Sequence, residues 1–175
     1  PARRWVERLH AAGVEVWEQV GSVGEAERAR RDGIDLVIAQ GSEAGGHNYA
    51  SMSTLAFVPA VRAALGPDAL VLAGGGIVDG AGLAAVLALG ADGAWVGTRF
   101  LASEESDAHP EWKARLLAAN GSDTVRTHVF GRHHPEFNPM RVLRNRVVAE
   151  WDARVAEIPA DNAAEPVVGH MEVWG

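Results

Sequence analysis

The stretch "ALVLAGGGIVDGAGLAAVLALGADGAWVGTRF", Ala69–Phe100, reads as strand, helix, strand. Its opening run of leucine, valine and alanine has no polar break, the pattern of a strand covered on both faces. Gly74–Gly76 end that run, and Asp79 is placed to cap the helix "GAGLAAVLALG", which Gly90 closes. "ADGAWVGTRF" then predicts a second strand ending in Gly97 and Thr98. Two apolar strands joined by a crossover helix form a βαβ unit, whose strands are parallel and whose crossover is right-handed.

The same grammar extends towards the amino terminus. "IDLVIAQ" is another continuous β-branched run, and "VEVWEQV" is an earlier strand. Between them Ser22 can cap "VGEAERARRDG", with Gly33 as its stop. "PARRWVERLHAAG" has apolar residues at Trp5, Val6, Leu9 and Ala12, the helical spacing, and ends at Gly13. "STLAFVPAVRAALG" is helical, with Pro59 expected to kink it or to mark its true start. Strands therefore begin near Val14, Leu36, Leu70 and Ala94 and alternate with helices, which means an α/β protein with a parallel sheet. An open doubly wound sheet and a (β/α) barrel compete. Eight barrel units take about 250 residues, so four units in roughly the first 100 amount to half of one. Beyond Phe100 the alternation stops; helices are expected at 110–119 and 142–155, with an irregular histidine- and proline-bearing segment between. The expected division is a half-barrel over 1–102 and a helical and irregular extension over 103–175.

Composition narrows the function. At 175 residues the chain fits one domain with a real core, and 47% hydrophobic with 22% charged residues is ordinary for a soluble globular protein. A net charge of -7 argues against nucleic acid and anionic membranes as partners. No cysteine is present, which removes disulfides, thiolate metal sites and cysteine nucleophiles. No apolar run approaches the ~20 residues of a membrane span. A cytoplasmic protein is the expectation.

Two consecutive strands end in donor-rich turns, "AGGGI" at 73–77 and "VGTRF" at 96–100. Backbone N–H groups at such turns bind phosphate without a lysine, and barrels place this site after their last two strands. Gly75, Gly76, Gly97 and Thr98 are therefore candidates for a nucleotide-cofactor phosphate, against the plainer reading of Gly74–Gly76 as a tight turn. "GAGLAA" (80–85) matches a dinucleotide pattern but lies inside a helix, so it is set aside. "AQGSEAGGH", 39–47, ends the preceding unit. His47 at its tip can move a proton near neutral pH or hydrogen-bond an anion; a solvated loop histidine is the alternative. Gln40, Gly45 and Gly46 keep it company. Glu43 is better read as a carboxylate accepting loop N–H bonds than as an acid or base. His133 and His134, adjacent and without a partner helix, do not make a metal site, and no metal is expected. The arginines, dispersed among acids, read as solvated helix faces.

Together "AQGSEAGGH", "AGGGIVDGAGLAAVLALGADGAWVGTRFLASEES", "HPEWK" and "RVLRN", in this order over most of 1–150, resemble the nitronate monooxygenases, formerly 2-nitropropane dioxygenases. The resemblance implies a (β/α)8 TIM-type barrel of which strands 5–8 are present, binding FMN and oxidising alkyl nitronates with O2 to a carbonyl compound and nitrite. It makes His47 the catalytic histidine. It assigns the FMN phosphate to the backbone of Gly75, Gly76, Gly97 and Thr98, and brings Gln40, Gly45 and Gly46 to the flavin. The flavin-dependent enoyl-acyl-carrier-protein reductases share these motifs and are the rival reading. An inactive incomplete barrel and a sugar-phosphate-binding barrel are further alternatives. Nothing in the chain corresponds to strands 1–4, and half a barrel exposes two sheet edges. Self-association or an amino-terminal half-barrel would cover them, and poor autonomous stability is expected.

Overall fold

The computed structural model describes residues 3–130 and 139–158. The chain forms two compact units, 1–44 with 50–96 and 45–49 with 97–175.

In the first unit the elements are α1 (Arg3–His10), β1 (Trp17–Val20), α2 (Val23–Asp32), β2 (Leu36–Gln40), α3 (Thr54–Leu65), β4 (Leu70–Gly74), α4 (Gly80–Ala88) and β5 (Gly93–Trp95). Ser22 caps α2 through the Glu25 N–H, and Gly33 ends it at φ 90°. Asp79 caps α4 by accepting from the Gly82 N–H at 2.9 Å, so the 80–85 glycines do lie within a helix. The strands are parallel and stand in the order β1-β2-β4-β5, which is chain order. A doubly wound sheet reverses its order at a switch point; this one does not, and that decides for the barrel type. Val37, Ala39, Val71 and Ala73 pack against Ala26, Ala29, Phe57, Val58, Val61 and Val86 from the helices. By strand alternation the opposite face carries Leu36, Ile38, Gln40, Leu70, Leu72 and Gly74. On that face Trp17 of β1 and Trp95 of β5 meet edge to face, ring centroids 6.1 Å apart. Two strands lie between β1 and β5, a span of about 14 Å in a flat sheet. The sheet is therefore curled toward this face, as barrel strands are.

The starts of β1 and β4 are each pinned by the aspartate that precedes the neighbouring strand. Asp35 accepts from the Val16 N–H at 2.7 Å and donates its own N–H to the Val16 carbonyl. Asp92 does the same with Val71, at 2.8 Å in both directions. Gly33-Ile34-Asp35 and Gly90-Ala91-Asp92 are thus one device used twice. Arg62 of α3 closes the second copy. Its guanidinium donates to the carbonyls of Gly66, Ala69 and Gly90 and to Asp92 Oδ2 at 2.6 Å.

The structure departs from the sequence reading in four places. β1 begins at Trp17 rather than Val14. Pro59 neither starts nor ends α3, which runs through it from Thr54. The carbonyl deprived of a donor belongs to Leu55, in the first turn on an exposed position, where water can serve it. The fourth strand stops at Trp95, and Thr98 begins a short helix. Residues 142–143 are strand rather than helix, because Met140–Leu143 pairs with Thr124–Thr127.

The second unit contains β3 (Gly46–His47), α5 (Thr98–Leu101), α6 (Pro110–Ala118), β6 (Thr124–Thr127), β7 (Met140–Leu143) and α7 (Arg146–Trp151). Its sheet is antiparallel, in the order β3-β7-β6. Val129, Phe130, Val148, Trp151 and Ile158 form its core. Asn145 caps α7 by accepting from the Val148 N–H at 2.9 Å. Thr127 Oγ1 donates to Asp152 at 2.6 Å and accepts from the Val129 N–H. His133 and His134 lie outside the described residues.

Candidate functional site

The sequence-derived site residues divide between the units: Gln40, Gly75 and Gly76 in the first; Gly45, Gly46, His47, Gly97 and Thr98 in the second.

In the first unit Gln40 ends β2, buried and in register with Gly74 of β4. The chain then turns at Gly75 (φ 106°) and Gly76 (φ 72°), a backbone that side chains resist. A Cβ on Gly75 would stand 2.7 Å from the Ala44 nitrogen, and one on Gly76 would stand 3.2 Å from Glu43 Cβ. The turn is locked from below. Gly41 donates its N–H to the Gly74 carbonyl at 2.8 Å. Thr54 Oγ1, buried at the start of α3, lies 2.9 Å from the Gly75 carbonyl and 3.2 Å from Glu43 Oε2. Glu43 accepts from the Thr54 N–H at 2.9 Å, so the plainer expectation for this carboxylate is what the structure shows. Among the described residues no oxygen accepts the N–H of Gly75 or Gly76. Both donors are held in place and uncommitted.

In the second unit His47 lies on β3 with its imidazole exposed, opposite Met140. Gly46 before it has φ 75°. Asn48 after it is fully buried, donating its N–H to Pro139 O at 2.7 Å and accepting from Arg126 Nε at 3.1 Å. A glycine at positive φ and a buried, hydrogen-bonded asparagine thus flank the histidine. Gly45 sits beside Thr98: a Cβ on it would be 3.5 Å from Thr98 Oγ1. Gly97 and Thr98 open α5, and among the described residues nothing accepts their N–H groups. The second unit therefore also holds a pair of free backbone donors.

Gly41 and Thr54 escaped the sequence reading. A Cβ on Gly41 would stand 2.5 Å from the Thr54 nitrogen. The only local sign was a glycine directly after a strand. Arg126 and Arg141 overturn the reading of the arginines as helix faces: both lie on strands, half-buried and directly opposite one another. Among the described residues no cluster of metal-ligating side chains occurs, and no helix is long and apolar enough to cross a membrane.

Comparison with known proteins gives the family and the fold. The nitronate monooxygenase family model matches residues 1–171. A nitronate monooxygenase of Neurospora crassa is 36% identical over 173 residues, covering 90% of this chain and 44% of that protein. A nitroalkane oxidase from Streptomyces ansochromogenes superposes with a TM-score of 0.79 at 32% identity, over 100% of this chain and 55% of that one. FabK from Thermotoga maritima gives 0.81 at 37% identity, over 94% and 50%. The chain spans about half the length of these relatives, and its four βα units are part of a (β/α)8-type barrel. By motif order, strand order and the match along nearly its whole length, the chain belongs to the nitronate monooxygenase family.

Proposed function

We propose that the protein is an FMN-dependent oxidoreductase that oxidises alkyl nitronates with O2 to a carbonyl compound and nitrite. The observation carrying this reading is an exposed histidine on β3, in the unit whose Gly97 and Thr98 N–H groups have no acceptor among the described residues. Gly75, Gly76, Gly97 and Thr98 would donate backbone N–H bonds to the cofactor phosphate. Such donors need no side chain, and at Gly75 the tight turn leaves no room for one. Gln40, Gly45 and Gly46 would contact the flavin, which supplies the electron acceptor when bound. His47 has two tasks open to it. Neutral, its imidazole takes the proton from the carbon next to a nitro group, which converts a nitroalkane to the nitronate. Protonated, it donates a hydrogen bond to a nitronate oxygen and holds the anion in place.

The test is nitrite release and O2 consumption by the FMN-incubated chain supplied with propionate 3-nitronate. Nitrite formation that falls at least about 100-fold in His47→Asn, the scale of a lost general acid–base group, is expected. Oxidation of NADH or NADPH with an enoyl thioester, and none of nitronate, would transfer the chain to the enoyl reductases. A chain that stays colourless yet is stabilised by phosphorylated sugars would turn the same donors into a sugar-phosphate site.

A further inference from the structure

Among the described residues the N–H groups of Gly75 and Gly76 have no acceptor, but each belongs to a peptide whose carbonyl is within reach of a donor. A trans peptide is planar, so its carbonyl and its N–H point in opposite directions. The Gly74 carbonyl accepts the Gly41 N–H at 2.8 Å, which fixes the Gly74–Gly75 peptide and turns the Gly75 N–H away from Gly41. The next peptide has no such backbone partner. It joins two glycines at φ 106° and 72°, and no side chain of its own resists its turning over. Turned over, it would present a carbonyl oxygen to an anion in place of the Gly76 N–H. Among the described residues the one donor within reach of the Gly75 carbonyl is the Thr54 hydroxyl, at 2.9 Å. Thr54 is itself held: it is buried, Glu43 Oε2 accepts its N–H at 2.9 Å, and a Cβ on Gly41 would overlap its hydroxyl. That hydroxyl has one proton and faces three acceptors, the Gly75 carbonyl, Glu43 Oε2 at 3.2 Å and the Gly74 carbonyl at 3.4 Å. The last two already have donors, the Thr54 N–H on Glu43 and the Gly41 N–H on Gly74. The Gly75 carbonyl is both the nearest acceptor and the one that depends on the hydroxyl.

We propose that Thr54 is a positioning residue for the cofactor phosphate: by donating to the Gly75 carbonyl it holds the Gly75–Gly76 peptide in the orientation that offers the Gly76 N–H. Thr54 acts from the opposite side of that peptide, so it sets the turn's affinity for phosphate through the backbone rather than by touching the ligand. The same bond polarises the peptide and strengthens the Gly76 N–H as a donor. The inference rests on the reading of Gly75 and Gly76 as phosphate donors and is independent of whether the substrate is a nitronate.

The experiment is an amide NMR titration of the full chain, Thr54→Val and Thr54→Ser with inorganic phosphate, joined to their affinities for FMN and riboflavin. In the parent, phosphate should shift the amide signals of both Gly75 and Gly76. In Thr54→Val the Gly75 shift should remain, because Gly41 still holds its peptide, while the Gly76 shift is lost. FMN affinity should fall about 10- to 100-fold, the scale of one hydrogen bond to a charged group, and riboflavin affinity should not change. Thr54→Ser keeps the hydroxyl and should restore both readouts. A threonine that only stabilises the fold would lower FMN and riboflavin affinity alike, and that result overturns the proposal. So does a Thr54→Val protein that keeps the Gly76 shift and the parent's FMN affinity. Should Thr54→Val not fold, Thr54→Ala removes the hydroxyl without adding a methyl group, and the same outcomes are read on it. A parent in which phosphate moves neither glycine amide refutes the phosphate reading of the turn, and the proposal with it. A parent that gives the expected shifts but releases no nitrite refutes the nitronate reading alone.

Discussion

Gly75 and Gly97 share one proposed task, donating a backbone N–H to phosphate, yet alanine should have opposite consequences at the two positions. At Gly75 the backbone sits at φ 106°, and a Cβ would stand 2.7 Å from the Ala44 nitrogen and 3.1 Å from its Cα. Forcing a side chain into left-handed space costs about 1–2 kcal/mol. Overpacking against backbone that cannot rotate away adds about 1–3 kcal/mol. Gly75→Ala should therefore lose about 2–5 kcal/mol, a large share of a domain stability of roughly 5–15 kcal/mol. At Gly97 the backbone has φ -105°, and a Cβ would meet no atom within 4 Å. Gly97→Ala should stay within about 0.5 kcal/mol of the parent. Urea unfolding followed by tryptophan fluorescence measures both, since Trp17 and Trp95 touch across the sheet of the first unit. With a slope of about 1–3 kcal/mol per molar urea, the Gly75 variant should unfold at least about 0.7 M earlier. The Gly97 variant keeps its N–H and should keep its FMN affinity. A Gly75→Ala protein as stable as the parent would refute the account of the turn. A Gly97→Ala protein that folds normally but loses FMN would refute the claim that backbone alone serves the phosphate there.

Thr54→Val removes the hydroxyl that holds the Gly75 carbonyl and should cost about 1–3 kcal/mol by leaving a part-buried acceptor unpaired; Thr54→Ser should recover most of it in the same urea assay. Arg62→Met strands the carbonyls of Gly66, Ala69 and Gly90 and should cost about 1.5–3 kcal/mol. Arg62→Lys should not rescue it, because one ammonium cannot span that set; a lysine variant with the parent's midpoint would contradict this. The Val16 N–H, then His10, lower the Asp35 pKa, and at Asp92 the Val71 N–H and Arg62 outweigh the upward push of burial. Both carboxyls are thus lowered below 3.8 in the folded state. Their stabilisation is complete above the unfolded-state value and is lost as pH falls through the lower folded values. Acid unfolding should therefore steepen below about pH 4, and the double Asn variant at 35 and 92 should flatten that limb.

Much of the first unit is legible in residues close together in the chain. Runs such as "LVIAQ" and "LVLAG" declare buried parallel strands, and Ser22, Asp79, Gly33 and Gly90 mark helix ends, because caps and periodicity act within a turn or two of backbone. The βα alternation left two architectures open, and pairing order alone separates them, since it joins residues tens of positions apart. The glycines and histidine of the candidate site were visible as motifs. Their mechanics were not. Segment 45–49 leaves the first unit to become a strand of the second, held by Pro139 and Arg126, which lie about 80 or more positions along the chain. Nothing local in "AGGHNY" encodes that pairing. Residues 142–143 show the same physics from the other side: "MRVLRNRVVAEW" has helical content throughout, but its first four residues gain cross-strand hydrogen bonds to β6 and β3 that outweigh local preference. Arg126 is an ordinary arginine in sequence. Only the sheet register sets it, half-buried, opposite Arg141, because register is a property of two strands together and of neither alone.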